Sequence, residues 1–298
     1  MIKLVYSTII IIFNPKSTGE APEKARRLQK RLERKGLTCI LRATEHAGHA
    51  TDIAYAAAKK YSRPLMVSVS GDGGYNEVIN GAMRAVDEGV AHQPVCAIMP
   101  AGNANDHRRS TRRRPLTWAI QHAKPEAIDI LRLTAKCRGT SLTRYAHSYI
   151  GLGLTSKAAA ALNREQLTRF KETLIVLRIL LNFDPITIKM PDGSIKKLDS
   201  LVCANIHQMS KVIRLGRRTN LKSGLFRIVT LPHRNRVRML FTVLSIFLFG
   251  YRKPPQTDAY EFTLTDKQPT HFDGEITKIP AHSHVRIECA PKALLTIR

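Results

Sequence analysis

The sequence predicts an α/β domain followed by a β-rich one, and three observations carry that prediction. Apolar, β-branched runs alternate with helix-period segments up to about Leu133. Beyond that point strand-like stretches follow one another, with two helical insertions. The length of 298 residues then suits two domains of roughly 150 residues each. The expected boundaries are 1–133 and 134–298, with room for the last strand to return to the first domain.

Each element has its own signal. Leu4 to Phe13 reads as a buried strand; it lacks a small-residue cleavage site and runs into Asn14-Pro15, unlike a secretory leader. Ala21, Ala25, Leu28 and Leu32 fall on one helical face that stops at Gly36. Leu37 to Leu41 is extended, His49 to Lys60 an Ala-rich helix, and Leu65 to Ser70 a strand. Tyr75 to Glu88 reads as helix, Val95 to Met99 as strand, Leu116 to Ala123 as helix, and Ile128 to Leu133 as strand. Such alternation implies right-handed βαβ units around a largely parallel sheet. Strands follow at Tyr145 to Ile150, Ile186 to Met190, Asp199 to Ile206, Gly224 to Leu231, Tyr260 to Thr265 and Val285 to Cys289. Pro191-Asp192-Gly193 signals a hairpin turn, and helical insertions are expected near Ser156 to Leu181 and Val237 to Phe249.

Charge narrows the partners. Lys and Arg number 48 against 23 Asp and Glu, a net +25, so acidic company is expected: a nucleic acid, an anionic membrane or phosphorylated small molecules. With 6% aromatics, no recognition motif and basic residues spread along the chain, nucleic acid is not the expected partner. Five scattered cysteines without a C-x-x-C pair argue for a reducing compartment and against a disulfide framework or zinc ribbon. His46/His49 and His282/His284 each lack a third convergent ligand, so no protein-held metal is expected. Arg108, Arg109, Arg112, Arg113 and Arg114 form either a solvated loop or an anchor for headgroups and phosphates. The apolar stretch Met239 to Phe249, with Arg234, Arg236, Arg238, Arg252 and Lys253 around it, is too short to span a bilayer. It is either an interfacial helix or a buried helix of the second domain.

The most informative segment is Ser70-Gly71-Asp72-Gly73-Gly74-Tyr75-Asn76-Glu77-Val78-Ile79-Asn80-Gly81. A strand feeds a glycine-rich turn and a helix, so backbone N–H groups and a helix N-terminus converge where an anion can sit. Met99-Pro100-Ala101-Gly102-Asn103-Ala104-Asn105-Asp106 repeats the build after the next strand, and Asn14-Pro15-Lys16-Ser17-Thr18-Gly19 follows the first. In a parallel sheet all three turns fall at carboxyl ends of strands, where open α/β sheets bind ligands. No G-x-x-x-x-G-K-[ST] occurs, which excludes a P-loop enzyme, and the protein-kinase H-R-D and D-F-G signatures are missing too. Gly151-Leu152-Gly153 fails the dinucleotide fingerprint and reads as a strand end, and Asp273-Gly274-Glu275 alone reads as a hairpin turn.

These motifs together resemble the diacylglycerol kinase catalytic-domain family, in its soluble bacterial lipid-kinase branch, with sphingosine kinases as relatives. The resemblance runs along essentially the whole chain. It rests on Asn14 to Gly19, Thr44-Glu45-His46-Ala47-Gly48-His49-Ala50, Ser70 to Gly81, Pro100 to Asp106, and Asp273-Gly274-Glu275. It implies a doubly wound α/β nucleotide-binding domain, a C-terminal β-sandwich domain with helical insertions, and ATP- and Mg²⁺-dependent phosphorylation of diacylglycerol or a related lipid alcohol. By matching position, ATP would contact Asn14, Pro15, Lys16, Ser17, Thr18, Thr44, Ser70, Gly71, Asp72, Gly73, Gly74, Tyr75, Asn76 and Asn103. Glu275 falls on the proton acceptor, with Asp273 beside it and Asp129 on an acid that supports it. A cytoplasmic protein, peripheral at an anionic inner-membrane face, is the expected setting. Ser70 stands for a family glycine, and Gly74 and Asn103 stand for threonines. That motivates a second reading, a catalytically weak paralogue that binds lipid or anionic surfaces without turnover. A further motif, D-G-x-L-D, appears as Ser223-Gly224-Leu225-Phe226-Arg227 with both acids lost, so a structural Mg²⁺ is not expected there.

Overall fold

The computed structural model describes residues 6–17, 19–111, 114–157, 184–210, 213–216 and 220–297. The chain divides into two compact units, Met1–Ile130 with Pro291–Arg298, and Leu131–Ala290.

The first unit alternates β1 (Thr8–Phe13), α1 (Ala21–Glu33), β2 (Cys39–Ala43), α2 (His49–Lys60), β3 (Pro64–Ser70), α3 (Asp72–Asp87) and β4 (Val95–Pro100). α4 (Asp106–Thr111), α5 (Leu116–His122) and the start of β5 (Glu126–Cys137) follow. β2, β1, β3, β4 and the end of the last strand lie side by side, all parallel. Every residue of β1 and β3 is buried, because helices cover both faces of the sheet. The period of two divides β1: Ile9, Ile11 and Phe13 pack with Ala25, Leu28 and Leu32 of α1 and with Ile120 of α5. On α2 and α3, Gly81 brings the two helices together, since a Cβ there would stand 2.1 Å from Thr51 O. The helix expected to begin at Tyr75 begins at Asp72, so the glycines are its first turn rather than a loop before it.

The second unit is antiparallel. It takes in the rest of β5, β6 (Thr140–Ala146), β7 (Tyr149–Gly153), β8 (Ile186–Lys189), β9 (Ile195–Ala204), β10 (Gln208–Met209), β11 (Ile213–Arg214) and β12 (Phe226–Pro232). Helix α6 (Arg236–Phe249) precedes β13 (Gln256–Thr257), β14 (Ala259–Leu264), β15 (Gln268–Phe272), β16 (Glu275–Ile279) and β17 (His284–Thr296). The order is β16-β15-β7-β9-β8-β14-β17, with β12 also on β9. Inward side chains of the β5–β6 hairpin, such as Leu133 and Ala146, share one core with Ile150, Leu201, Phe262, Phe272 and Val285 of that sheet. That is the packing of a sandwich.

Several expectations need correction. Tyr145 to Ile150 is not one strand: it breaks at His147-Ser148, whose N–H groups turn to a side chain instead of a neighbouring strand. β15 and β16 were not expected, and β17 is longer than expected because it leaves the second unit and ends beside β4. The expected helix near Ser156 to Leu181 lies mostly outside the described residues, as do Arg112 and Arg113. All five cysteines are thiols. Burial pushes Cys39 up to about 11 and Cys96 up to about 12, which leaves both inert as nucleophiles near neutrality.

Candidate active-site residues in the two units

In the first unit the three glycine-bearing turns leave the carboxyl ends of β1, β3 and β4, which are direct neighbours. They are locked to one another. Ala101 N donates to Ser70 O at 2.8 Å, and a Cβ on Gly102 would stand 2.3 Å from Gly71 Cα, so the second and third turns touch backbone to backbone. The first turn joins through Ser17 Oγ and Gly19 N, which both donate to Ala101 O, at 2.6 and 3.0 Å. Gly19 itself is compressed: a Cβ there would stand 2.5 Å from the same carbonyl. Side chains at these points would push the turns apart.

Asp72 is the clamp of this arrangement. Its carboxylate accepts from Asp106 N at 2.8 Å and His107 N at 3.1 Å, which caps α4 and fixes the third turn from the second. Asn105, at φ +53°, closes the same turn by exchanging hydrogen bonds with Gly102. Tyr75 and Asn76 are buried: the Tyr75 ring packs on His107 with centroids 5.5 Å apart, and Asn76 accepts from Asn80. These three residues shape the turn from beneath its surface. The partly exposed backbone of Gly71, Gly73 and Gly74 forms its surface, at a helix end that no side chain caps.

Ser70 and Gly74 are coupled. A Cβ on Gly74 would lie 2.6 Å from Ser70 Oγ and 2.7 Å from Ser70 Cβ, so the Ser70 side chain already fills that space. Ser70 Oγ also lies 2.7 Å from Ser68 Oγ. The two departures noted in the sequence thus offset each other: a hydroxyl lost at 74 is matched by one gained at 70.

The remaining expected contacts vary in setting. Asn14, Pro15 and Lys16 are exposed at the end of β1, with Lys16 N donating to Asn14 Oδ1 at 2.8 Å. Thr18 lies outside the described residues. Thr44 follows β2, half-buried, its N–H donating to Phe13 O at 2.9 Å. Asn103 is exposed at the tip of the third turn. Asp129 is buried in β5 and accepts from Lys292 N at 2.8 Å, which holds the returning C-terminal segment in this unit. Glu77 was not singled out, yet its carboxylate accepts from Gly48 N and Ala50 N, at 2.8 and 3.1 Å, and so caps α2 from α3. Its signal was the segment Thr44 to Ala50, whose glycine opens a helix with no side-chain cap of its own.

In the second unit Asp273 is fully buried at the β15–β16 turn, at φ +51°. It accepts from three consecutive backbone N–H groups: His147 at 2.7 Å, Ser148 at 3.0 Å and Tyr149 at 2.8 Å. This is the side chain that breaks the expected strand at 147–148. An acid holding three backbone donors positions its neighbours, so the structure gives Asp273 a positioning place, and Glu275 follows it, half-buried, at the start of β16. Tyr149 stacks on His271 at 5.4 Å, and burial pulls the His271 pKa down to about 4, against a smaller opposing effect of Asp273. His147 and Ser148 carried no sequence signal, because strand pairing across more than 120 residues brings them to Asp273, and His271, two residues before it, was not singled out.

Elsewhere in this unit a recess of about 460 Å³ is lined by Asp184, Asp199, His233, Arg234, Arg236 and Met239, among others. His233 Nδ1 lies 2.8 Å from Asp199 Oδ1. None of the expected site residues lines it. Arg227, where the resemblance has an acid, is buried in β12, and burial pulls its pKa down. Among the described residues no group of three or more metal-ligating side chains converges.

Comparison with known proteins accords with this geometry. Residues 8–135 match the model of the diacylglycerol kinase catalytic domain. Over 102 residues the chain is 37% identical to a diacylglycerol kinase of Bacillus subtilis (strain 168). That alignment spans 34% of this chain and 31% of the relative, so it concerns under a third of that protein. A crystal structure of a diacylglycerol kinase from Bacillus anthracis str. Sterne shares the fold, with a TM-score of 0.66 at 15% identity over 98% of this chain and 97% of that one. Yeast NADH kinase complexed with NADH superposes with a TM-score of 0.53 at 11% identity, over 99% of this chain and 83% of that one.

Proposed function

We propose that this chain, whose residues 8–135 match the diacylglycerol kinase catalytic domain, is an ATP-dependent lipid kinase whose acceptor is the hydroxyl of diacylglycerol or a related lipid alcohol. One observation carries the reading. Three neighbouring strand ends bear glycine turns packed backbone to backbone, and the second presents the backbone of Gly71, Gly73 and Gly74 at its surface. A polyphosphate is the ligand that such a surface suits, because it takes many N–H donors and tolerates few side chains.

The residues fit that group. Gly71, Gly73 and Gly74 offer backbone at the start of α3, Ser17 and the exposed Asn14, Lys16 and Asn103 stand on the flanking turns, and Asp72 keeps the turns in register. ATP, when bound, supplies the γ-phosphoryl group. The lipid oxygen forms the new bond to phosphorus as the bond to the β-phosphate oxygen breaks, and the hydroxyl proton goes to Glu275. Asp273 holds the turn from which Glu275 projects. Mg²⁺ would come with the triphosphate, whose oxygens are the hard ligands it takes. Lost acids at Ser223 and Arg227 leave no fit for a second, structural Mg²⁺.

The acceptor lives in a membrane, so the protein works as a peripheral enzyme on the anionic cytoplasmic face, consistent with its net charge of +25. Among the described residues no helix is long and apolar enough to cross a bilayer. The non-catalytic reading is not favoured, because Ser70 supplies a hydroxyl beside the position where Gly74 lacks one. The test is transfer of labelled phosphate from ATP with Mg²⁺ to diacylglycerol, monoacylglycerol, ceramide, sphingosine and phosphatidylglycerol in mixed micelles, with Glu275→Gln as blank. Labelled diacylglycerol that disappears in the variant supports the reading, and ATP binding without transfer to any lipid overturns it.

A further inference from the structure

Helix α6 is inverted with respect to an ordinary surface helix. Met239, Thr242, Val243 and Ile246, spaced three, one and three residues apart, are its buried or half-buried positions. The opposite face carries Val237, Phe241, Leu244 and Leu248, spaced four, three and four, and these are 63%, 68%, 49% and 61% exposed. Leu240, Phe247 and Phe249 widen the exposed stripe. A helix at this period normally turns polar side chains outward; this one offers water only Arg236, Arg238 and Ser245 besides the stripe. Contiguous exposed apolar surface of that kind marks an interaction site.

Charge identifies the partner. From Ser200 to Thr257 the sequence has eleven Lys or Arg and no Asp or Glu. Exposed Arg234, Arg236 and Arg238 surround the first turn of the helix, and exposed Arg252 and Lys253 follow its end. A second copy docking through this face would bring two such acid-free segments together, which repulsion opposes. Nucleic acid would match the charge but leave the apolar stripe in water. An anionic lipid surface satisfies both, with the stripe among acyl chains and the cations on phosphates.

We propose that α6 is a membrane-docking helix, lying in the plane of an anionic bilayer with Val237, Phe241, Leu244 and Leu248 inserted and the five flanking cations on headgroups. The helix is 14 residues long, about 21 Å, which suits lying in the interface and not spanning it. The lipid-kinase reading gives this surface its purpose, while its evidence is the exposed stripe and the acid-free segment.

The experiment is vesicle flotation of the full chain with mixed phosphatidylglycerol–phosphatidylcholine vesicles, against phosphatidylcholine alone. Wild type should float with the anionic vesicles and stay behind with the neutral ones. The double substitution Phe241→Ser with Leu244→Ser should weaken anionic binding by at least about tenfold. The triple substitution Arg234→Gln, Arg236→Gln, Arg238→Gln should weaken it comparably, and most at low salt. The exposed side chains of the double substitution touch little, so its thermal unfolding and its transfer to lipid in detergent micelles should match wild type. Undiminished vesicle binding by either variant overturns the inference. So does a wild-type dimer in sedimentation velocity that the double substitution converts to monomer while vesicle binding is absent. Vesicle binding through α6 without phosphoryl transfer would sink the kinase reading alone.

Discussion

Ser70 and Gly74 should behave as one unit in stability and in nucleotide binding. A methyl group at position 74 would stand 2.7 Å from Ser70 Cβ, an atom that no rotamer of serine can move. Overpacking of this kind costs about 1–3 kcal/mol. Against it, Gly→Ala within a helix gains up to about 1 kcal/mol. Gly74→Ala alone should therefore lower stability, by up to about 2 kcal/mol. With Ser70→Gly the obstructing atoms are gone, and the nearest remaining neighbour is Ser68 Oγ at 4.0 Å, ordinary contact. In that background Gly74→Ala should raise stability by up to about 1 kcal/mol. The sign reversal corresponds to a coupling of about 1–3 kcal/mol. Urea unfolding followed by fluorescence is the assay, because the single tryptophan, Trp118, lies in α5 of the first unit and reports that unit. The same cycle on nucleotide affinity should show Ser70→Gly with Gly74→Thr binding better than Gly74→Thr alone. Additivity within about 0.5 kcal/mol in the stability cycle would refute the coupling.

Four further outcomes follow from the same geometry. Asp273→Ala strands three backbone donors in a buried turn and should cost about 3–5 kcal/mol, read as a lowered melting transition by circular dichroism. Asp72→Ala frees the third glycine turn from the second, so nucleotide affinity should drop while the melting temperature falls by no more than about 2–8 °C; unchanged affinity would deny Asp72 its clamp role. Glu77→Ala removes the cap of α2 and should destabilise the first unit by about 1–2 kcal/mol, measured through Trp118 in urea. His271 stays neutral in the folded protein to about pH 4, whereas the unfolded chain takes up a proton near its ordinary value of 6.5. Stability is therefore complete above about pH 6.5 and declines as the pH falls toward 4, by on the order of 3 kcal/mol. His271→Phe keeps the stack on Tyr149 and should flatten that part of the pH profile; an unaltered slope would contradict the assignment.

Local patterns in the sequence resolve much of the first unit and less of the second. β1, β3 and β4 are short apolar runs between glycine turns, and His49–Lys60 is helical over its expected span, because each of these signals is local. The first turn of α3 was misread as loop, since Gly73 and Gly74 are poor helix formers, and at Gly74 the Ser70 side chain occupies the space a Cβ would take. Asp273-Gly274-Glu275 was legible as a hairpin turn, but its strands β15 and β16 were not, nor was the hold of Asp273 on His147, Ser148 and Tyr149, a contact with no sequence proximity. Motif matching named Asp72, Tyr75 and Asn76 as ligand contacts but gave no sign that they are buried and hold the turns in register, which only their partners in the fold reveal. The sequence likewise left Met239 to Phe249 open between buried and interfacial, and the exposure of Phe241 and Leu248 removes the buried reading.

The most direct measurement is the rate of phosphate transfer from labelled ATP to diacylglycerol in mixed micelles, for wild type and Glu275→Gln side by side. Loss of the proton acceptor should slow transfer by about 10²–10⁴-fold while ATP affinity and the melting temperature stay near wild type. Equal rates in the two proteins, or ATP binding by wild type with no lipid phosphorylated at all, would contradict the assignment of this chain as a lipid kinase with Glu275 as its base.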